Sequence, residues 1–138
     1  MPRKDIIHEA VKNALRKDGW AITHDPLLLE YGAEDMFVDL GAERLLGAVR
    51  DQDKIAVEIK SFIGRSALTD LHTALGQYQV YWAVLEQTDP ERKLYIALSK
   101  SAYDELSEME TFSLVIKRYR VSLLIVRIAE EEIEQWKP

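Results

Sequence analysis

Val57-Glu58-Ile59-Lys60 is a short run in which β-branched and charged residues alternate. In a strand, successive side chains point to opposite faces. Val57 and Ile59 then enter a core, while Glu58 and Lys60 emerge together on the other face. Upstream, Met36, Val38 and Leu40 read the same way and set Asp39 on the opposite face with Phe37. If the two strands pair, two carboxylates and one ammonium converge, a grouping that can hold a divalent cation and place a water beside it. The same residues can also be an ordinary solvated strand face, because Glu-x-Lys by itself is a short and common pattern.

Composition narrows the setting. A chain of 138 residues with 47% apolar content supports a single domain with its own core. The absence of cysteine excludes disulfides and thiolate zinc sites. No apolar run is long enough to cross a membrane, and the first residues turn amphipathic without a signal-peptide core. A cytoplasmic protein without a membrane partner is the expectation. A net charge of −6 argues against nonspecific coating of nucleic acid, yet a local basic groove is compatible with it.

Helical spacing of Ile7, Ala10, Val11, Ala14 and Leu15 predicts a helix over 4–17, stopped by Asp18-Gly19. Short strands follow at 20–23 and 27–31, then a turn at 32–35, the strand at 36–40 that carries Asp39, and extended chain at 45–50. A polar turn at 51–54 leads into a central strand at 55–62, and the short connections predict a three-stranded meander. Ser66 is an N-cap for a helix reaching about Gln87, with Leu71, Leu75, Tyr78, Trp82 and Leu85 as its buried stripe. On an adjoining face Gln77 and Tyr81 stand four apart, so they can reach one partner. Beyond the Asp89-Pro90 break come a strand at 93–99, a helix at 101–109, a helix at 111–119 and an apolar strand at 121–128. Ile133 and Trp136 then fold back onto the domain. The order gives one α/β domain over 1–138 with a mixed central sheet flanked by helices.

This arrangement resembles the restriction-endonuclease-like (PD-(D/E)XK) nuclease core, which carries an acid on one strand and Asp/Glu-x-Lys on the next. Asp39, Glu58 and Lys60 match those positions, and Gln77 with Tyr81 matches a Gln-x-x-x-Tyr motif found in some branches. The resemblance implies Mg²⁺ or Mn²⁺ held by Asp39, Glu58 and the main-chain carbonyl of Ile59, with Lys60 and Gln77 completing the catalytic set. In Holliday-junction-resolvase-like members the first helix supplies a glutamate. Counting back from Gly19-Trp20 reaches His8 instead, with Glu9 beside it, so His8 is the further metal-ligand candidate.

A closer resemblance spans nearly the whole chain. Lys17-Asp18-Gly19-Trp20, Ile22-Thr23 with Asp25-Pro26, Val57 to Phe62, and Ala74-Leu75-Gly76-Gln77-Tyr78 are similar to the XisH family. Its members are cyanobacterial controlling factors for excision of the fdxN element during heterocyst differentiation. The resemblance implies a role in DNA rearrangement beside a separate recombinase.

Two functions from different classes follow. One is a metal-dependent DNA endonuclease. The other is a catalytically inactive factor that binds DNA or a protein partner of the excision system. Lys54 and Arg65, with Tyr81, are the expected DNA contacts near the central strand, and Lys117, Arg118 and Arg120 form a second basic cluster. The oligomeric state stays open, with a homodimer among the compatible states. His24 and His72 make no metal set with His8, because none of the three is close to another in sequence.

Overall fold

The computed structural model describes residues 3–45, 52–62 and 66–138. Helix α1 (Arg3–Lys17) buries Ile7, Ala10, Val11, Ala14 and Leu15, the stripe that its helical spacing demands. It ends where Gly19 adopts φ 92°. Gly19 N donates to Arg16 O and Trp20 N to Leu15 O, each at 3.0 Å. These two bonds close a Schellman motif, whose left-handed position suits glycine.

The strands are β1 (Ala21–His24), β2 (Leu27–Tyr31), β3 (Glu34–Val38), β4 (Leu40–Leu45), β5 (Gln52–Ile59), β6 (Arg92–Ser99), β7 (Leu123–Arg127) and β8 (Glu132–Lys137). Six of them form a mixed sheet in the order β1-β4-β5-β6-β7-β8, while β2 and β3 pair separately as an antiparallel hairpin. Within the large sheet β5–β6 and β6–β7 run parallel, and the remaining pairs are antiparallel. Helix α2 (Ala67–Thr88) connects β5 to β6, and α3 (Lys100–Leu106) with α4 (Glu110–Arg118) connects β6 to β7. As expected for an N-cap, Ser66 Oγ accepts from Thr69 N at 3.2 Å.

Both faces of this sheet are covered. Ile55, Val57, Tyr95, Ala97, Leu124 and Val126 pack with α1, and Ala56, Leu94, Ile96, Leu98, Leu123 and Ile125 share a second core with α2. Two covered faces explain why β6 and β7 read as nearly continuous apolar runs. Each large side chain buried in this way contributes roughly 1.5–3 kcal/mol. Trp136 of β8 does fold back, onto Trp20 and Tyr95, with ring centroids 5.8 and 5.0 Å away.

Several expectations change. The stretch 36–40 is not one strand: β3 ends at Val38 and β4 begins at Leu40. Val38 lies in the α2-side core, Leu40 in the α1-side core. Alternation cannot reveal this, since a chain leaving one sheet for another keeps its period while a bend swaps the faces. The three strands β1, β4 and β5 do form an antiparallel run, but the β2–β3 hairpin is inserted between β1 and β4. The face bearing Glu58 is not open to solvent; Glu58 is 7% exposed. Trp82, expected in the buried stripe of α2, is 36% exposed, and Val84 takes its place inside. The central strand ends at Ile59 rather than at 62, and the helix expected at 101–109 spans Lys100–Leu106. The extended chain expected at 46–50 lies outside the described residues. No helix among the described residues is long and apolar enough to cross a membrane.

Candidate functional site

Asp39 occupies the bend between β3 and β4, where the chain passes from the hairpin into the large sheet. Leu40 pairs with Val57, which brings Asp39 beside the last residues of β5. A reciprocal lock results. Ile59 N donates to Asp39 Oδ2 at 2.8 Å, and Asp39 N donates to Glu58 Oε1 at 3.2 Å. Each carboxylate thus satisfies a backbone amide of the other strand, as buried polar groups require. Lys60, whose own N donates to Ala97 O at 3.0 Å, sets its ammonium 3.3 Å from Glu58 Oε2.

Charge is unbalanced here. Two carboxylates face one ammonium in a shielded setting. Burial, followed by the Asp39 charge, pushes the Glu58 carboxyl from 4.5 up to about 7, against the opposing pull of Lys60 and the Asp39 amide. Tyr81 lies within the same field: burial raises its phenol, and the Glu58 and Asp39 charges raise it further. One turn earlier on α2, Gln77 Oε1 is buried without a hydrogen-bond partner among the described residues. The Asp39 and Glu58 carboxylates are hard oxygen donors, the kind that Mg²⁺ and Mn²⁺ take. The described residues hold no group of three His, Asp or Glu side chains gathered as for a metal.

The other sequence candidates lie elsewhere. His8 Nε2 meets Asp25 Oδ1 at 2.8 Å, and Lys12 Nζ lies 2.7 Å from Asp25 Oδ2. Burial opposes ionisation of Asp25, but the hydrogen bonds from Lys12 and His8 outweigh it and hold this carboxyl below its ordinary range. Lys54 pairs with Asp89 at 2.7 Å, near the start of β5. Six residues of strand separate it from Lys60, roughly 20 Å, so the two do not share one mouth. Arg65 lies outside the described residues. The sequence reading missed the two backbone amides that lock the carboxylates; strand register supplies them, and no residue type signals it.

The XisH family model, described as XisH protein, matches residues 1–134. The crystal structure of an XisH family protein from Nostoc punctiforme is similar, with 38% identity, a TM-score of 0.88, and coverage of 97% of this chain and 100% of that one. A second similar structure is that of an fdxN element excision controlling factor protein from Anabaena variabilis, with 37% identity, a TM-score of 0.86, and coverage of 97% and 99%. No curated protein matches. A family match over nearly the whole chain and two neighbours of the same fold at this identity agree, and the chain belongs to the XisH family.

Proposed function

We propose that this chain acts on DNA as an excision controlling factor, and that Asp39, Glu58 and Lys60 form a metal-dependent endonuclease site within a restriction-endonuclease-like core. The observation that carries this reading is the surplus carboxylate in the lock. A structural ion pair needs one acid for one ammonium. Here a second acid sits against the first in a buried setting, an arrangement that is unfavourable without a further cation. Asp39, Glu58 and the main-chain carbonyl of Ile59 would hold Mg²⁺ or Mn²⁺. The ion would supply polarisation of a phosphate and of a water. Lys60 orients the attacking water and steadies negative charge developing on phosphorus. Gln77 can accept from Lys60 or donate to a phosphate oxygen.

Binding of the metal is the first consequence. Calorimetric titration with Mn²⁺ is expected to give one or two sites, and Asp39→Asn weakens them by more than about tenfold, since even partners one shell further out cost that much. Equal binding by the variant would remove Asp39 from the site.

The Anabaena variabilis relative is named a controlling factor. That name favours a second reading, in which the cluster is kept without turnover and the protein assists a separate recombinase through DNA or protein contacts. A metal-dependent cleavage assay on duplex, single-stranded and branched DNA, with Glu58→Ala as control, separates the two. Lys60→Ala is expected to lower cleavage by about 10²–10³ while largely keeping DNA affinity, because its contribution grows in the transition state. If the parent cleaves no form and Lys60→Ala abolishes binding, Lys60 is a contact residue and the binding-factor reading replaces the first.

A further inference from the structure

We infer that the opposite end of the sheet carries a second DNA site, a groove for single-stranded DNA centred on Arg120. Two cavities of about 340 and 650 Å³ meet there and share Arg120 and Ser122. The first opens beside Trp82 and Lys93, the second between Lys117 at the end of α4 and Lys137 of β8. Lys93 pairs with Ile55 near the start of β5. Five residues of strand, roughly 16 Å, therefore separate this groove from Lys60.

Charge is segregated in this groove. Lys117, Arg120 and Lys137 line it, whereas Lys93 on its rim turns its ammonium to the other face of the sheet, 5.4 Å from the Tyr95 ring. Glu91 is the one carboxylate side chain among the lining residues. Elsewhere the cations are largely matched, as in Lys12–Asp25, Lys54–Asp89 and Arg92–Glu43. Among the described residues, neither Lys117 nor Arg120 has a carboxylate within ion-pair distance. A chain with net charge −6 that sets Lys117 and Arg120 in one groove, with Lys137 at its far wall, presents a local field for a polyanion.

The backbone supplies an independent observation. Helix α4 ends in the same Schellman motif as α1: Arg120 N donates to Lys117 O at 3.3 Å and Val121 N to Ile116 O at 3.0 Å. In α1 the left-handed position is Gly19; in α4 it is Arg120, at φ 53°. Glycine adopts this conformation without strain and arginine does not. The fold alone would favour glycine at 120, and the strained residue there is one that lines both cavities.

An unstacked strand can lay a base against a groove wall, which a stacked duplex cannot do. Trp82 offers an accessible indole in the groove wall, with its plane fixed edge-to-face on Tyr78 at 5.9 Å. Cations for the backbone beside an aromatic face for an unstacked base are the combination that binds single strands.

The test is fluorescence anisotropy with a labelled oligothymidine of about twenty nucleotides, in EDTA so that no cleavage enters. Arg120→Gly is expected to keep or raise the melting temperature, to weaken binding about fivefold or more, and to reduce the slope of log affinity against log salt by about 0.7. Lys117→Ser reduces the slope by a similar amount. Trp82→Ala weakens binding about tenfold with the slope unchanged. Asp39→Asn leaves binding intact, so failure of the cleavage reading does not touch this one. The inference is overturned if the parent binds no oligothymidine, if Arg120→Gly binds as the parent does, if Asp39→Asn abolishes binding, or if duplex DNA or polyglutamate competes equally well.

Discussion

Glu58→Gln is expected to raise the stability of the metal-free protein by about 3 kcal/mol at pH 8 and to leave it nearly unchanged at pH 4. Burial and the Asp39 charge move the Glu58 carboxyl from 4.5 up to about 7. Over that interval the folded protein holds a proton that the unfolded chain has released. The parent therefore loses stability as pH rises from 4.5 to about 7, at about 1.4 kcal/mol per pH unit at most, and levels off above it. Glutamine removes the titration, and its carbonyl oxygen can still accept from Asp39 N, so the lock between β4 and β5 survives. Urea melts in chelator at pH 4, 6 and 8 read this out. A variant less stable than the parent at pH 8 would mean that Glu58 and Lys60 form a structural ion pair, and the argument from surplus charge would fail.

Arg92→Met is expected to cost about 3–5 kcal/mol, the usual penalty for removing one partner of a buried charged network. The Arg92 side chain is 5% exposed. Its Nε donates to Asp89 Oδ2 at 3.0 Å, Nη1 to the Ile55 carbonyl at 2.9 Å and Nη2 to Glu43 Oε1 at 3.2 Å. One side chain thus ties β4, β5 and the start of β6 to the end of α2. Burial opposes ionisation of Asp89, but the Lys54 and Arg92 hydrogen bonds outweigh it and hold the carboxyl below its ordinary range. That contribution is present above pH 4 and is lost as pH falls through the lowered value. Methionine fills much of the volume but leaves the Ile55 carbonyl and Glu43 without their donor. With a urea slope of about 2 kcal/mol/M, the midpoint falls by roughly 1.5–2.5 M. A loss below about 1 kcal/mol would show that Lys54 alone satisfies Asp89 and that the network is peripheral.

Much of the fold was legible in local pattern. The α1 stripe, the Gly19 stop, the Ser66 cap and the Asp89-Pro90 break all appear where their residues call for them, because each depends on contacts within a few positions along the chain. The alternation at 55–59 correctly assigned Val57 to a core and Glu58 to the other face. Alternation reports sidedness only, and it says nothing about what covers the second face. Alternation therefore leaves Glu58 emerging from the sheet, whereas the folded chain buries it. The same limit hid the bend at Asp39, since Met36, Val38 and Leu40 keep period two while the chain changes sheets. Trp82 departs from expectation for a related reason: helical spacing admits it to the stripe, and only packing against β2 and β6 sets the stripe's edge.

Local pattern was enough for the α/β class, the helices and most of the strands, because propensity, capping and period are local properties; it did not separate β3 from β4 or show β8 as a strand. Three features come only from packing of the whole chain. It turned Asp39 and Glu58 from two separate acids into a lock closed by each other's backbone amides, a matter of strand register. It separated Lys54 from Lys60 to the two ends of one strand. It drew Trp82, Lys117 with Arg120, and Lys137 from three parts of the chain into one groove, although in sequence only Lys117 and Arg120 stand together. The physical reason is common to all three. Electrostatics acts through distance in space, and that distance is set by pairing and burial between residues far apart in the chain.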